Sequence, residues 1–203
     1  MKIYYYDSDI VVCEKEYGIS SQKSDKENMV DMLSLHFGKE AFPVHRLDTT
    51  TSGVMVYALN QKSASILSAD IANHNFKKVY IALAHGKVEK AGEMVDFLYH
   101  DRLKNKSFVT KTKRTGAKEA RLTFELISYD EEKDLSLVKI ELQTGRTHQI
   151  RVQLASRGHM LYGDGKYGAK DNDKIRLHSC EISFNHPRTK ERLTFKSSPD
   201  WIK

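Results

Sequence analysis

A histidine, an arginine and an aspartate fall within four residues in His45-Arg46-Leu47-Asp48, and the chain continues as Thr49-Thr50-Thr51-Ser52-Gly53. The flanks, Phe42-Pro43-Val44 and Val54-Met55-Val56-Tyr57-Ala58-Leu59, are apolar and predict strands, so the polar stretch between them is a tight turn held by two rigid elements. Its hydroxyls can bond nearby backbone and stiffen the loop, and Gly53 can take a backbone angle that other residues resist. A carboxylate on such a loop, Asp48, is well placed for covalent chemistry. The same residues also fit a polar turn closed by a local Arg46–Asp48 pair.

Two further side chains stand out by position. Alternation along Phe76 to His85 puts Val79, Ile81 and Leu83 on one strand face and Lys78, Tyr80, Ala82 and Ala84 on the other, so Tyr80 points away from the apolar set. Arg151 falls near the middle of a predicted helix, Thr147 to Arg157, beside the inner face formed by Ile150 and Leu154. If buried, that arginine needs an anionic partner; if exposed, its stem lies along the helix. Gly163-Asp164-Gly165-Lys166-Tyr167-Gly168 has dinucleotide-fingerprint spacing. It follows a helix end and runs into a polar segment with no apolar stripe, so it predicts a structured loop instead.

The elements that must position these groups follow from periodicity. Ile3 to Tyr6 and Ile10 to Cys13 predict short strands. Ser24-Asp25-Lys26-Glu27 fits a capping box ahead of a helix with Met29, Leu33 and Phe37 on one face and Gly38 as its stop. Gln61 to Asn73 predicts a second helix with Ile66, Leu67 and Ile71 buried. Met94 to Tyr99 suits a strand, Ala120 to Tyr129 and Leu135 to Leu142 predict a hairpin, and Ile175 to Phe184 with Arg192 to Lys196 predict closing strands. Between 101 and 118 the chain is densely basic, with Arg102, Lys104, Lys106, Lys111, Lys113, Arg114 and Lys118 around Phe108. That segment fits a solvated hairpin or a surface tracking phosphates, with Phe108 near a base. Strands outnumber helices and pair mostly with sequence neighbours, which gives an α+β fold: a mixed, mainly antiparallel sheet with helices packed on it.

The 203 residues carry a formal charge of +6 and a pI of about 9.1, which favours an anionic partner such as nucleic acid. No linker, repeat or low-complexity run marks a boundary, and a single domain over 1–203 is expected. Cys13 and Cys180 lie far apart in predicted strands and suit buried thiols in a reducing cytosol rather than a disulfide or metal site. No secretory core and no membrane-length apolar run occurs, so a cytoplasmic protein is expected, with no membrane partner and as a monomer.

The central stretch resembles the active-site motif of the RluA-like pseudouridine synthases, carried by His45-Arg46-Leu47-Asp48 and Thr51-Ser52-Gly53. The likeness extends in order along the chain. Asp9-Ile10-Val11-Val12 with Lys15 and Gly18 resembles the family's opening strand and turn, and Lys78-Val79-Tyr80-Ile81-Ala82 its tyrosine motif. Gly145-Arg146-Thr147-His148-Gln149-Ile150-Arg151 resembles its arginine motif. Gly158-His159, Gly163-Asp164, Lys166-Tyr167-Gly168, Leu177-His178, Phe184 and His186-Pro187 resemble its closing segments. Two departures stand out: Glu16 replaces a common proline after Lys15, and the match begins within the first residues, leaving no room for a separate N-terminal RNA-binding domain.

The resemblance implies the pseudouridine synthase fold, with a cleft across the central sheet, and isomerisation of specific uridines in structured RNA, a stem-loop of rRNA or tRNA, without cofactor or metal. It assigns Asp48 as the essential carboxylate, acting on C1′ or C6 or removing a sugar proton; Arg151 as the cation that keeps it ionised; and Tyr80 as a catalytic-site ring that packs on the base and is a candidate for removing the C5 proton, packing being the role that suits a weakly basic phenol. Arg46 is implied to hold the flipped nucleotide, with Ile150 and Leu154 walling the pocket or serving as plain core. A catalytically inactive RNA-binding protein on the same fold is the alternative. A glycosidase would want a second facing carboxylate, for which Asp164 is the nearest candidate.

Overall fold

Continuous apolar runs form β2 and β4, and alternating ones form parts of β5, β8 and β9, in this computed structural model, which describes residues 1–110, 112 and 115–202. In chain order the elements are β1 (Ile3–Tyr6), β2 (Ile10–Lys15), α1 (Met29–Phe37), β3 (Phe42–Pro43), β4 (Ser52–Ala58), α2 (Gln61–Ala72) and β5 (Lys77–His85). Then come β6 (Ala91–Asp101), β7 (Lys106–Thr110), β8 (Ala117–Asp130), β9 (Leu135–Leu142), α3 (Gln149–Ala155), β10 (Leu177–Asn185) and β11 (Arg192–Lys196). The fold is α+β, with mixed, mainly antiparallel sheet and a few helices packed on it. Packing divides the chain into two compact units, Met1–Lys78 with His178–Lys203, and Val79–Leu177.

In the first unit the strand order is β1-β2-β4-β10, with β3 paired to β4 and β11 to β10. β2 runs antiparallel to β4 from Ile10↔Ala58 to Lys15↔Gly53, whereas β10 runs parallel to β4 at His178↔Ser52 and Ser179↔Gly53. The core joins Ile10, Val12, Val54, Val56, Ala58, Ile182 and Phe184 from the strands to Leu67 of α2 and to Phe76. Fully burying a side chain such as Leu67 contributes roughly 1.5–3 kcal/mol. Phe76 and Phe184 stack at 5.3 Å.

The helix over Met29–Phe37 starts later than its sequence suggests. The Asn28 Oδ1 atom accepts from the Asp31 amide at 2.9 Å and makes Asn28 the cap, while the Ser24 hydroxyl bonds Lys26 O in the preceding loop. Both residues can cap; Asn28 wins because it sits directly before the apolar stripe. Gly38, at φ 62°, ends the helix as expected. Of the two cysteines, Cys13 is buried and Cys180 only half-buried, and neither is in a disulfide.

In the second unit the order is β5-β9-β8-β6-β7. The hairpin of β8 and β9 forms as its alternation predicts, but an irregularity between Leu126 and Ser128 ends the inward phase, and Ile127 is exposed. α3 is shorter than expected because His148 adopts a left-handed conformation at φ 56°, so regular helix begins at Gln149. Every residue from Gln149 to Leu154 is buried, a helix enclosed on all sides rather than an amphipathic one. Its amides are tied to the strands below: Gln149 donates to Arg121 O at 3.0 Å and Gln153 to the Asp96 carboxylate at 2.7 Å. Among the described residues no helix is long and apolar enough to cross a membrane.

Candidate active site

Asp48 lies on the connection between β3 and β4, and β3 pairs with the far end of β4 at Phe42↔Ala58 and Pro43↔Tyr57. The backbone on each side of it is clamped. On one side, the Ser21 hydroxyl donates to Leu47 O at 2.7 Å and accepts from Leu47 N at 3.2 Å. Ser21 is itself held through its carbonyl, which accepts from the Tyr57 hydroxyl at 2.8 Å. On the other side, Thr49 O accepts from Gly18 N at 2.8 Å and from the Lys15 ammonium at 3.4 Å. A turn closes directly over the aspartate, with Thr51 N donating to Asp48 O at 2.9 Å.

The loop leaves into β4 through a site that only glycine fits. Gly53 has φ 121°, and a Cβ there would stand 2.3 Å from Ser179 O of the neighbouring parallel strand. The Ser52 hydroxyl meets His178 Nδ1 at 2.8 Å, and His178 Nε2 meets the Ser197 hydroxyl at 2.8 Å. Burial lowers the His178 pKa and so favours the neutral imidazole between the two serines.

Two cations of the same unit, Arg46 and Lys15, lie close to Asp48. Arg46, half exposed, places Nη2 at 3.9 Å from Asp48 Oδ1. Lys15 is fully buried, its ammonium donating to Glu16 O at 2.9 Å, Ile19 O at 2.8 Å and Thr49 O. Burial brings the Lys15 pKa down to about 8, opposed by the charge of Asp48. His45 is structural: its Nε2 accepts from the Val56 amide at 3.1 Å, and its ring packs 5.2 Å from Phe76. Part of the residue reaches the surface, but Nδ1 is fully enclosed, and burial followed by the charge of Lys78 lowers its pKa to about 3.

The remaining site candidates lie in the second unit. Tyr80 on β5 is only 5% exposed. Alternation holds from Tyr80 onward, with Tyr80, Ala82 and Ala84 buried and Ile81 and Leu83 half-buried, while Val79 before them is buried as well. Arg151 is 4% exposed and forms a fork with Asp164, Nε to Oδ2 at 2.7 Å and Nη2 to Oδ1 at 2.8 Å. Ile150 and Leu154, its neighbours on α3, are buried. Asp164 is on the glycine loop, which is a structured turn with a short 3₁₀ segment at Gly165–Tyr167, as its sequence suggests.

Among the described residues, one cluster brings metal-type ligands together, Asp7, Asp9 and His186. Protein donors already occupy it. Asp7 Oδ1 accepts the amides of Asp9 and Ile10, and Asp7 Oδ2 faces His186 Nε2 at 2.9 Å. Asp9 Oδ2 pairs with Arg188 Nε at 2.7 Å, and Asp9 Oδ1 accepts from Asn60 and Ser63. The cluster clasps the β1–β2 turn to the β10–β11 turn.

A family model described as RNA pseudouridylate synthase matches residues 9–156, which include the Asp48 loop, Tyr80 and Arg151. The chain is 38% identical over 148 residues to an uncharacterized RNA pseudouridine synthase of Helicobacter pylori, covering 72% of this chain and 50% of that relative. It is 30% identical over 224 residues to the tRNA pseudouridine synthase C of Vibrio parahaemolyticus, covering 98% and 91%. The solved structure of human RNA Pseudouridylate Synthase Domain Containing 1 has the same fold, with a TM-score of 0.82 over 98% of this chain and 83% of that one at 22% identity. This chain belongs to the RluA-like RNA pseudouridylate synthase family. It spans half the length of the Helicobacter pylori relative.

Proposed function

We propose that this protein isomerises uridine to pseudouridine in a structured RNA, a stem-loop of tRNA or rRNA, with Asp48 as its essential carboxylate. The observation that carries the reading is the clamped Asp48 loop: Ser21 fixes Leu47, and Gly18 and Lys15 fix Thr49, in the stretch that matches the family motif. The reaction breaks the bond from ribose C1′ to uracil N1 and makes one from C1′ to C5; the C5 proton leaves and N1 gains one. It needs an ionised carboxylate at the sugar or base, held still while the base turns. Arg46 and Lys15 place positive charge near that carboxylate.

Tyr80 takes the role of the ring that packs on the base, and Arg151 that of the site's cation. A paired uridine is out of reach inside a helix and must be flipped out. Arg46, half exposed beside Asp48, holds the flipped nucleotide through its planar guanidinium. A tRNA substrate draws support from the name of the Vibrio parahaemolyticus relative. The test is to map pseudouridine across cellular RNA with and without this protein. A uridine that loses modification in its absence, and regains it with purified protein, carries the proposal; an unchanged map and no activity on the full RNA pool sink it.

A further inference from the structure

Asp164 uses both carboxylate oxygens on one guanidinium, and both side chains are buried, Asp164 completely. Such a pair is not a cheap way to stabilise a core. Desolvating both charges offsets most of their attraction, and apolar residues of similar volume do as well or better. What a side-on fork does supply is geometry: it fixes the guanidinium plane and aims the outer edge, Nη1, in one direction.

The surroundings of Asp164 hold it still. Its amide donates to Leu161 O at 3.0 Å, and its carbonyl accepts from Tyr167 N at 3.0 Å and Ala169 N at 3.1 Å. Gly163 before it has φ 78°, and a Cβ there would stand 2.4 Å from Lys174 O, so the loop passes Lys174 at a distance only glycine allows. Tyr167 covers the guanidinium, its ring centre 5.2 Å from Arg151 Cζ. The Tyr167 hydroxyl is anchored in turn to Ser107 N at 2.9 Å, Ser107 O at 3.1 Å and His148 Nδ1 at 3.0 Å.

We propose that Asp164 is a positioning residue for the isomerisation, orienting Arg151 through the carboxylate fork while Tyr167 confines the guanidinium from its face. The inference rests on the reading that Arg151 serves the reaction. Asp164 acts through Arg151 and takes no part in bond making itself.

The test compares Asp164→Asn with the exchanged pair Arg151→Asp/Asp164→Arg, in the full chain, on an RNA that the wild type modifies. Asp164→Asn is expected to lower kcat about 100-fold with KM within about threefold, the loss typical of a misplaced group. The exchanged pair keeps a buried ion pair, so it is expected to recover the melting temperature lost in Asp164→Asn while kcat stays low, since the guanidinium has left α3. Wild-type kcat in Asp164→Asn, or recovery of both stability and kcat in the exchanged pair, overturns the proposal. One readout needs neither RNA nor a folded variant: the ¹⁵N resonances of the wild-type Arg151 guanidinium. Slow rotation about its Cζ–N bonds is expected; free rotation overturns the proposal. Failure of the wild type on every RNA would instead remove the functional reading and leave this measurement standing.

Discussion

The Ser21 hydroxyl bonds both the carbonyl and the amide of Leu47, twenty-six positions along the chain and directly before Asp48. One side chain thereby satisfies two buried backbone groups and sets where the aspartate's backbone begins. Ser21→Ala leaves both groups without that partner, at a cost of about 1–3 kcal/mol. The expected outcome is a lower melting temperature and a roughly tenfold fall in kcat, with RNA affinity little changed, because the loop drifts while the binding surface stays. Steady-state kinetics beside thermal unfolding checks it. A variant that loses stability but keeps kcat would show that the clamp serves the fold alone.

Asp48→Asn keeps the side chain's shape and removes its charge. Turnover is expected to fall on the order of 10⁴-fold or more, while RNA binding stays within a few-fold of wild type. Pseudouridine formation and filter binding on the same RNA separate the two effects. Near-normal turnover by the variant would remove Asp48 from the chemistry.

Gly53 tests the frame. At φ 121°, with Ser179 O in the space a Cβ would fill, Gly53→Ala must either push β4 away from β10 or distort the entry from the Asp48 loop. A loss of about 3 kcal/mol or more is expected, the range of strained or clashing substitutions. Denaturant unfolding measures it, and a loss under about 1 kcal/mol would contradict the close approach.

Lys15 gives the fold a pH dependence whose sign is set. Its folded pKa is brought to about 8, below the ordinary 10.5, mainly by burial. Below pH 8 both folded and unfolded chains carry the proton, and the folded chain bears the whole desolvation cost. Between about 8 and 10.5 the unfolded chain still holds a proton that the folded chain has released, so the Lys15 contribution becomes more favourable as pH rises. Relative to Lys15→Met, the wild type is expected to gain up to about 3 kcal/mol between pH 7 and pH 10. Burial also raises the pKa of Cys13 and Tyr57, but both groups are present in both proteins and cancel in the comparison. A stability difference that stays flat with pH would contradict a buried, charged Lys15.

The Asp48 loop is legible in the sequence because its chemistry is packed into a few consecutive residues between apolar flanks. Its clamps are not, since Ser21 and Lys15 come from β2 and the loop after it, and only the pairing of β2 with β4 brings them to Leu47 and Thr49. For Arg151 the need for an anion follows from its place on α3, but nothing local says that Asp164 meets it rather than another carboxylate. Tyr80 shows a different limit. Alternation separates two faces, yet which face is covered depends on what packs over it, and the Tyr80 side is the enclosed one. The first helix turns on a competition between two good caps, Ser24 and Asn28, which differ by one turn in register.

The basic segment offers the last expectation, about RNA. Asp101 caps the turn between β6 and β7 through the amides of Leu103 and Lys104, and Arg102 and Lys104 are exposed there. Phe108 stays partly exposed on β7 opposite Tyr99, with the Lys106 ammonium 5.8 Å from its ring centre and 5.0 Å from that of Tyr167. Lys111, Lys113 and Arg114 lie outside the described residues. A partly exposed ring beside lysines suits an RNA strand, with a base on the ring and phosphates on the cations. Neutralising Lys104, Lys106, Lys111, Lys113 and Arg114 together is expected to weaken binding at low salt. It should also flatten the slope of log affinity against log salt by up to about 3.5, since each lost phosphate contact removes roughly 0.7 on a single strand. Turnover at saturating RNA should hold, because none of these residues belongs to the Asp48 loop or to the Arg151 fork. A purely solvated hairpin gives the same affinity and slope as wild type. Binding isotherms at several salt concentrations distinguish the two, and an unchanged slope would move the RNA path off this hairpin toward Lys166, Lys170 and Lys174.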